Sequence, residues 1–115
     1  MKPRKRSTEL QRLKRAVRAL SGFDDSAFLD VQPQAMIRFV LDLGWEKSGE
    51  VRFDGRLTFI QYINRSVHPN PPRFFVSVPV CRLDQRYALS VRSFLLAISS
   101  YQDVVPAEAL AELLR

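Results

Sequence analysis

The dipeptide Asp54-Gly55, set between the apolar-rich runs 45–53 and 56–63, constrains this chain more than any other feature of its sequence. A two-residue connection of this composition accepts positive φ at both positions and twists with the strands it joins. The stretch VRFDGRLTFIQYI therefore reads as a β-hairpin. Pairing Phe53 with Arg56 sets Val51, Phe53, Thr58, Ile60 and Tyr62 on one face and Leu57, Phe59 and Ile63 on the other. Neither face is cleanly polar. Either a bulge near Gly49 shifts the register or both faces of the hairpin are partly covered.

On both sides of the hairpin the hydrophobic period is helical. Residues 1–6, MKPRKR, read as a mobile basic tail, and Ser7 or Thr8 is placed to cap a basic amphipathic helix over 7–20. Leu10, Leu13, Val17 and Leu20 recur at steps of three and four and predict the docking stripe, with Arg12, Lys14, Arg15 and Arg18 on the opposite arc. Gly22 and Asp24-Asp25-Ser26 break the pattern, and their carboxylates are positioned to close back on the basic helix. Gln32-Pro33 opens a second helix, with proline at the first helical position, where its missing N–H costs nothing. Met36, Phe39, Val40 and Leu43 are its apolar stripe, Arg38 and Asp42 are an i,i+4 pair outside, and Gly44 supplies a left-handed cap. Ile37 and Leu41 widen the arc, which predicts contact with a second element, the N-terminal helix being the nearest candidate.

Residues 64–73, with three prolines and two asparagines, read as a loop, and 74–80 as a third strand held to a sheet edge by Pro79. Val91, Phe94, Leu95 and Ile98 mark a further helix, and Pro106 opens a last one carrying Leu110, Leu113 and Leu114. The expected order is α-α-β-β-β-α-α. This is a two-layer α+β domain over residues 1–115, a three-stranded antiparallel sheet with helices packed on one face and its core in 33–114.

The chain is 46% apolar and 26% charged, a globular composition, and no apolar run approaches the roughly 20 residues a membrane span needs. A soluble, cytoplasmic protein is expected. Cys81 stands alone, which excludes an internal disulfide, and with His68 as the single histidine it cannot build a metal cluster; no cofactor is implied. Residues 1–20 hold eight cations against Glu9 alone, a local charge of +7, while ten cations and eleven carboxylates leave 21–115 at −1. A neutral body thus carries a basic arm suited to phosphate contact and counterion release.

Catalytic signals are sparse. His68 lies in the proline-rich loop near Arg65 and Arg73 and is the single acid/base candidate; Cys81 would be a nucleophile only with His68 beside it. There is no Ser/His/Asp order, no glycine-rich phosphate loop and no clustered carboxylate pair. Arg52, Arg56, Arg65 and Arg73 form a second basic set, interleaved with Glu46, Glu50 and Asp54, which offer pairing in place of phosphate contact. Phe53, Phe59 and Tyr62 are placed either to stack on unpaired bases or to fill the core.

The segments MIRFVLDLGWEKSGEVRFDGRLTFIQY, RFFVSVPV and ALSVRSFLLAISSYQDVVPAEALAELL, in that order, resemble the HicA-type mRNA interferase fold, itself similar to the double-stranded RNA-binding domain. Leu43-Gly44-Trp45, Val78-Pro79 and the Val91 to Ile98 helix carry the likeness over about two thirds of the chain, excluding the basic N-terminal region. The resemblance implies a Gly-Ser-His motif at the hairpin with a catalytic histidine. Here that place reads Asp54-Gly55-Arg56, and arginine, with a pKa above about 12, cannot exchange a proton near neutrality. The expected function is a non-catalytic nucleic-acid-binding domain, structured RNA ahead of DNA. It would use Arg4, Lys5, Arg6, Arg12, Lys14, Arg15 and Arg18, then Arg52, Arg56, Arg65 and Arg73. The alternative is a protein-interaction or regulatory subunit of a bacterial toxin–antitoxin-like or defence system, seen as a homodimer or with a protein partner. A residual RNase using His68 is the third reading.

Overall fold

The computed structural model describes residues 4–66 and 75–115, with the side chains of the first helix described from Leu10 onward. In chain order the elements are α1 (Arg4–Leu20), α2 (Asp25–Leu29), α3 (Pro33–Asp42), β1 (Glu46–Phe53), β2 (Arg56–Ile63), β3 (Val76–Pro79), α4 (Tyr87–Tyr101) and α5 (Pro106–Leu113). The fold is α+β in two layers, with an antiparallel sheet ordered β1-β2-β3. Pro79 sits in the edge strand β3, where a missing N–H interrupts no outer ladder.

The hairpin turn forms as its composition dictates: Asp54 has φ 51° and Gly55 φ 77°, and Phe53 opposes Arg56. The register is broken twice, once between Lys47 and Gly49 and once between Val51 and Arg52. Ser48 is the extra residue on β1 and Thr58 the extra residue on β2. The first bulge lies beside Gly49 as the sequence allowed. The second changes the face assignment, because Val51 now opposes Phe59 and no longer shares a face with Thr58. Beyond the bulge, Ile60 opposes Val78 and Tyr62 opposes Val76, placing these side chains toward the core.

Three other expectations are corrected. Helix α1 begins at Arg4, earlier than the Ser7/Thr8 cap suggested, because lysine and arginine are good helix formers and nothing in Arg4-Lys5-Arg6 breaks the pattern. Between α1 and α3 stands α2, started by Asp24, whose Oδ1 accepts the amide N–H of Ser26 at 3.2 Å. The Ser26 hydroxyl donates to the same oxygen and holds the Asp24 carboxyl below its ordinary range. Asp25 turns toward Arg92 of α4, at 3.9 Å, and away from the basic face of α1. Finally, α3 packs on β3 and α5, not on α1, and its Leu41 remains exposed. Its end follows the glycine rule closely: Gly44, φ 93°, lets its own N–H reach the Leu41 carbonyl and the Trp45 N–H reach that of Val40.

Helix α4 is the centre of the packing. It contacts α1, α2, α5 and β3, and its Val91, Phe94, Leu95 and Ile98 are buried together with Val76, Val78 and Tyr62. Two arginines fasten α2 beneath it. Arg92 donates to the Phe23 carbonyl at 3.2 Å and lies 4.9 Å from the Phe28 ring centroid, and Arg82 donates to the Leu29 carbonyl at 2.7 Å. At the far end Trp45 donates Nε1–H to Gln102 Oε1 at 2.7 Å and packs beside Tyr101.

Helix α1 docks on α4 and α5 with a different face from the one its apolar spacing proposes. Ala16 and Leu20 are fully buried, whereas Leu10, Leu13 and Val17 are 51%, 36% and 51% exposed. On a helical wheel the buried pair is shifted toward Arg12, whose stem and fork also face the body. Leu20→Ala should therefore cost about 2–5 kcal/mol in a urea melt. Val17→Ala should cost less than about 0.5 kcal/mol; equal losses would mean that α1 docks on its spacing-defined stripe after all.

Tyr87, at the start of α4, is buried and donates its hydroxyl to the Val31 carbonyl. Burial pushes this hydroxyl up to about 12 from an ordinary value of 10.0. Because the folded state keeps the proton to higher pH than the unfolded state, stability is intact below pH 10 and falls between about 10 and 12. A pH series of thermal melts should show this alkaline loss, and Tyr87→Phe should flatten it.

Candidate functional site

Seen down its axis, α1 has three arcs. The first, Arg12, Ala16 and Leu20, faces α4 and α5. Arg12 belongs to it because Nε and a terminal nitrogen both donate to the Ser100 carbonyl, at 3.3 and 3.1 Å, satisfying one of the last carbonyls of α4. The second arc is the exposed apolar stripe Leu10, Leu13 and Val17. The third is Lys14, Arg15 and Arg18, all exposed and without a carboxylate partner among the described residues. Arg4, Lys5 and Arg6 continue the same helix on its N-terminal side, with backbone alone described.

The hairpin arginines differ from those of α1. Arg52 pairs with Glu50 at 3.0 Å and donates to the Gly55 carbonyl, and Arg65 pairs with Glu46 at 3.2 Å. Lys47, at 2.6 Å, and Arg52 together hold the Glu50 carboxyl below its ordinary range. These exposed pairs contribute little stability, but they compete with any phosphate for the same cations. Arg56 has no such partner among the described residues. His68 and Arg73 lie outside the described residues.

Arg56 borders a small pocket of about 300 Å³ with Asp54, Cys81 and Asp84. Phe53, Thr58 and Asp84 join this pocket to a larger cleft of about 520 Å³ between the sheet and α4. Phe59 and Phe75 come to the cleft from the sheet side, and Leu89, Phe94 and Ala97 from α4, with Ser77, Ser90 and Ser93 adding hydroxyls. The bulge is what allows consecutive Thr58 and Phe59 both to line it. Tyr62, by contrast, is core: it is 3% exposed, and burial raises its hydroxyl above the ordinary range. The cleft is the element that sequence reading missed. Its trace in the sequence is the row Leu89, Ser93, Ala97 at i,i+4 spacing, a flank of α4 beside the buried stripe.

Arg12, of the first basic set, lies far along α4 from the hairpin tip. Arg12 meets Ser100 near the end of α4, whereas Phe23, just beyond α1, meets Arg92 in its first half, so the helices run antiparallel. The tip residues Phe53 and Arg56 share pockets with Asp84, ahead of α4. Fourteen residues of helix, about 20 Å, separate the levels of Arg86 and Ser100. Among the described residues no cluster of three or more His, Cys, Asp or Glu could hold a metal ion, and no helix is long and apolar enough to cross a membrane. Comparison with known protein families, curated proteins and solved structures returns no match for this chain.

Arg12→Ala should lower stability by about 1–2 kcal/mol by removing the charged hydrogen bonds to Ser100. Lys14→Ala should stay within about 0.5 kcal/mol in the same denaturant melts. A neutral Arg12→Ala would contradict its assignment to the docking arc.

Proposed function

We propose that the chain binds nucleic acid, structured RNA ahead of DNA, through the outward arc of α1, without catalysing its cleavage. The observation that carries this reading is that Lys14, Arg15 and Arg18 are exposed and unpaired among the described residues, while Arg12, Arg52, Arg65, Arg82 and Arg92 are all engaged within the protein. Three cations on one arc of a helix, with Arg4, Lys5 and Arg6 earlier in the same helix, neutralise phosphates and release counterions without ordering a loop first. Arg56 at the hairpin tip supports a non-catalytic role, since it stands where the HicA-like resemblance implies a histidine. The resemblance to double-stranded-RNA-binding domains favours recognition of RNA by shape.

The exposed stripe Leu10, Leu13 and Val17 favours a second reading, in which a protein partner seats on α1 through anchors spaced i, i+3 and i+7. That is the reading of a regulatory subunit in a toxin–antitoxin-like or defence system. The stripe and the basic arc occupy different sides of the helix, so the two surfaces do not compete for the same side chains.

A salt titration of fluorescence anisotropy with a labelled RNA stem-loop tests the first reading. Replacing Lys14, Arg15 and Arg18 together by alanine should reduce the slope of log K against log salt by about two to three, at roughly 0.7–0.9 for each phosphate no longer neutralised. Absence of wild-type binding at low salt would sink it. Retention of a co-purifying protein that Val17→Asp releases would then favour the second.

A further inference from the structure

The cleft beside the hairpin tip is unexplained by phosphate contact. Its floor is apolar, with Phe59 and Phe94 among its lining residues. Two more rings are incompletely covered: Phe53 is 63% and Phe75 44% exposed. Burying such rings against protein would have been favourable, and the fold leaves them facing an open cavity instead. Arg86 lines the cleft and Arg56 the adjoining pocket, and neither has a carboxylate partner among the described residues. Asp54 and Asp84 also face this region, so its border is close to neutral overall. The Asp84 Oδ1 accepts the Arg86 amide N–H at 2.7 Å.

A neutral border over aromatic surface is unsuited to the continuous phosphate rail of a duplex. It suits a planar ring that stacks, joined to one anionic group that a free arginine can meet. At about 520 Å³ the cleft falls within the size range of ligand sites. The serine hydroxyls and the remaining carboxylate oxygens supply acceptors and donors for the polar edge of such a ring.

We propose that this cleft takes one unpaired nucleotide, its base against Phe53 and Phe75 and its phosphate toward Arg56 or Arg86. The proposal rests on the nucleic-acid reading of α1 and extends it: α1 holds a stem by charge, and the cleft, on the flank of α4 turned toward the sheet, takes a base from an adjoining loop or overhang. The same chemistry is offered by a free mononucleotide, and the experiment separates the two sources.

The affinities of wild type, Phe53→Ala and the Lys14/Arg15/Arg18 triple alanine variant are measured for an RNA stem-loop and for its blunt stem alone. In parallel, the amide spectrum of each protein is titrated with adenosine monophosphate. Phe53 is exposed, so its variant should fold, which a thermal melt checks. Phe53→Ala should weaken stem-loop binding roughly fivefold to a hundredfold, the range for removal of one base stack, and leave the blunt stem unchanged. The triple variant should weaken both. Equal stem-loop affinity for wild type and Phe53→Ala, with the triple variant still impaired, would overturn the cleft assignment and leave the α1 reading standing. If wild type binds neither RNA, the α1 reading fails. In that case, adenosine monophosphate shifts at Ser77, Leu89 and Ser90 that vanish in Phe53→Ala support the cleft as a free-nucleotide site, and their absence overturns it.

Discussion

Burial of α4 is the constraint from which the rest of this structure follows. Val91, Phe94, Leu95 and Ile98 are removed from water against Val76, Val78 and Tyr62 of the sheet, a group of side chains worth roughly 1.5–3 kcal/mol each on transfer. Only one side of α4 meets the sheet. Its neighbouring side accepts α1 and α2, held by Arg12 on the Ser100 carbonyl and by Arg92 on Phe23 and Phe28. Its third flank, with Leu89, Ser93 and Ala97, is left to form the cleft with Phe59 and Phe75. Docking surface and candidate site are therefore two sides of one buried helix.

That arrangement also explains the division of labour among the arginines. An arginine near an unsatisfied carbonyl or an aromatic face is drawn into the structure, because its planar fork satisfies acceptors and its stem covers apolar surface. Arg12, Arg82 and Arg92 are of this kind. Arginines on and beside the polar strand β1 find carboxylates there, Arg52 two residues away at Glu50 and Arg65 nineteen residues away at Glu46. Among the described residues Lys14, Arg15 and Arg18 on the outward arc of α1 have no carboxylate partner, and neither do Arg38, Arg56, Arg86 and Arg115 elsewhere.

Edge protection is visible in the sheet as well. Strand β1 is long and exposed on its outer side, yet it carries Lys47, Glu50 and Arg52 and a bulge at Ser48. Charges and a broken ladder discourage pairing with another chain. The exposed apolar stripe is instead helical, formed by Leu10, Leu13 and Val17.

By itself the sequence determined what depends on neighbours in the chain. The Asp54-Gly55 turn, the Gly44 cap, Pro33 and Pro106 at helix starts, and Pro79 at a sheet edge are local demands on φ, on a missing N–H or on a turn's twist, and each is met where the residues predict it. The two-layer α+β class follows from the change of hydrophobic period. Tertiary structure alone decided which face of α1 is buried, because an apolar arc wider than its contact can rotate until small Ala16 allows close approach and Arg12 reaches a carbonyl 88 residues away. It alone decided that Thr58 is the bulged residue, and that Phe53 and Phe75 meet the flank of α4 in one cleft. These are relations between segments remote in sequence, settled by the shape of the packed whole, and no period or motif within a segment encodes them.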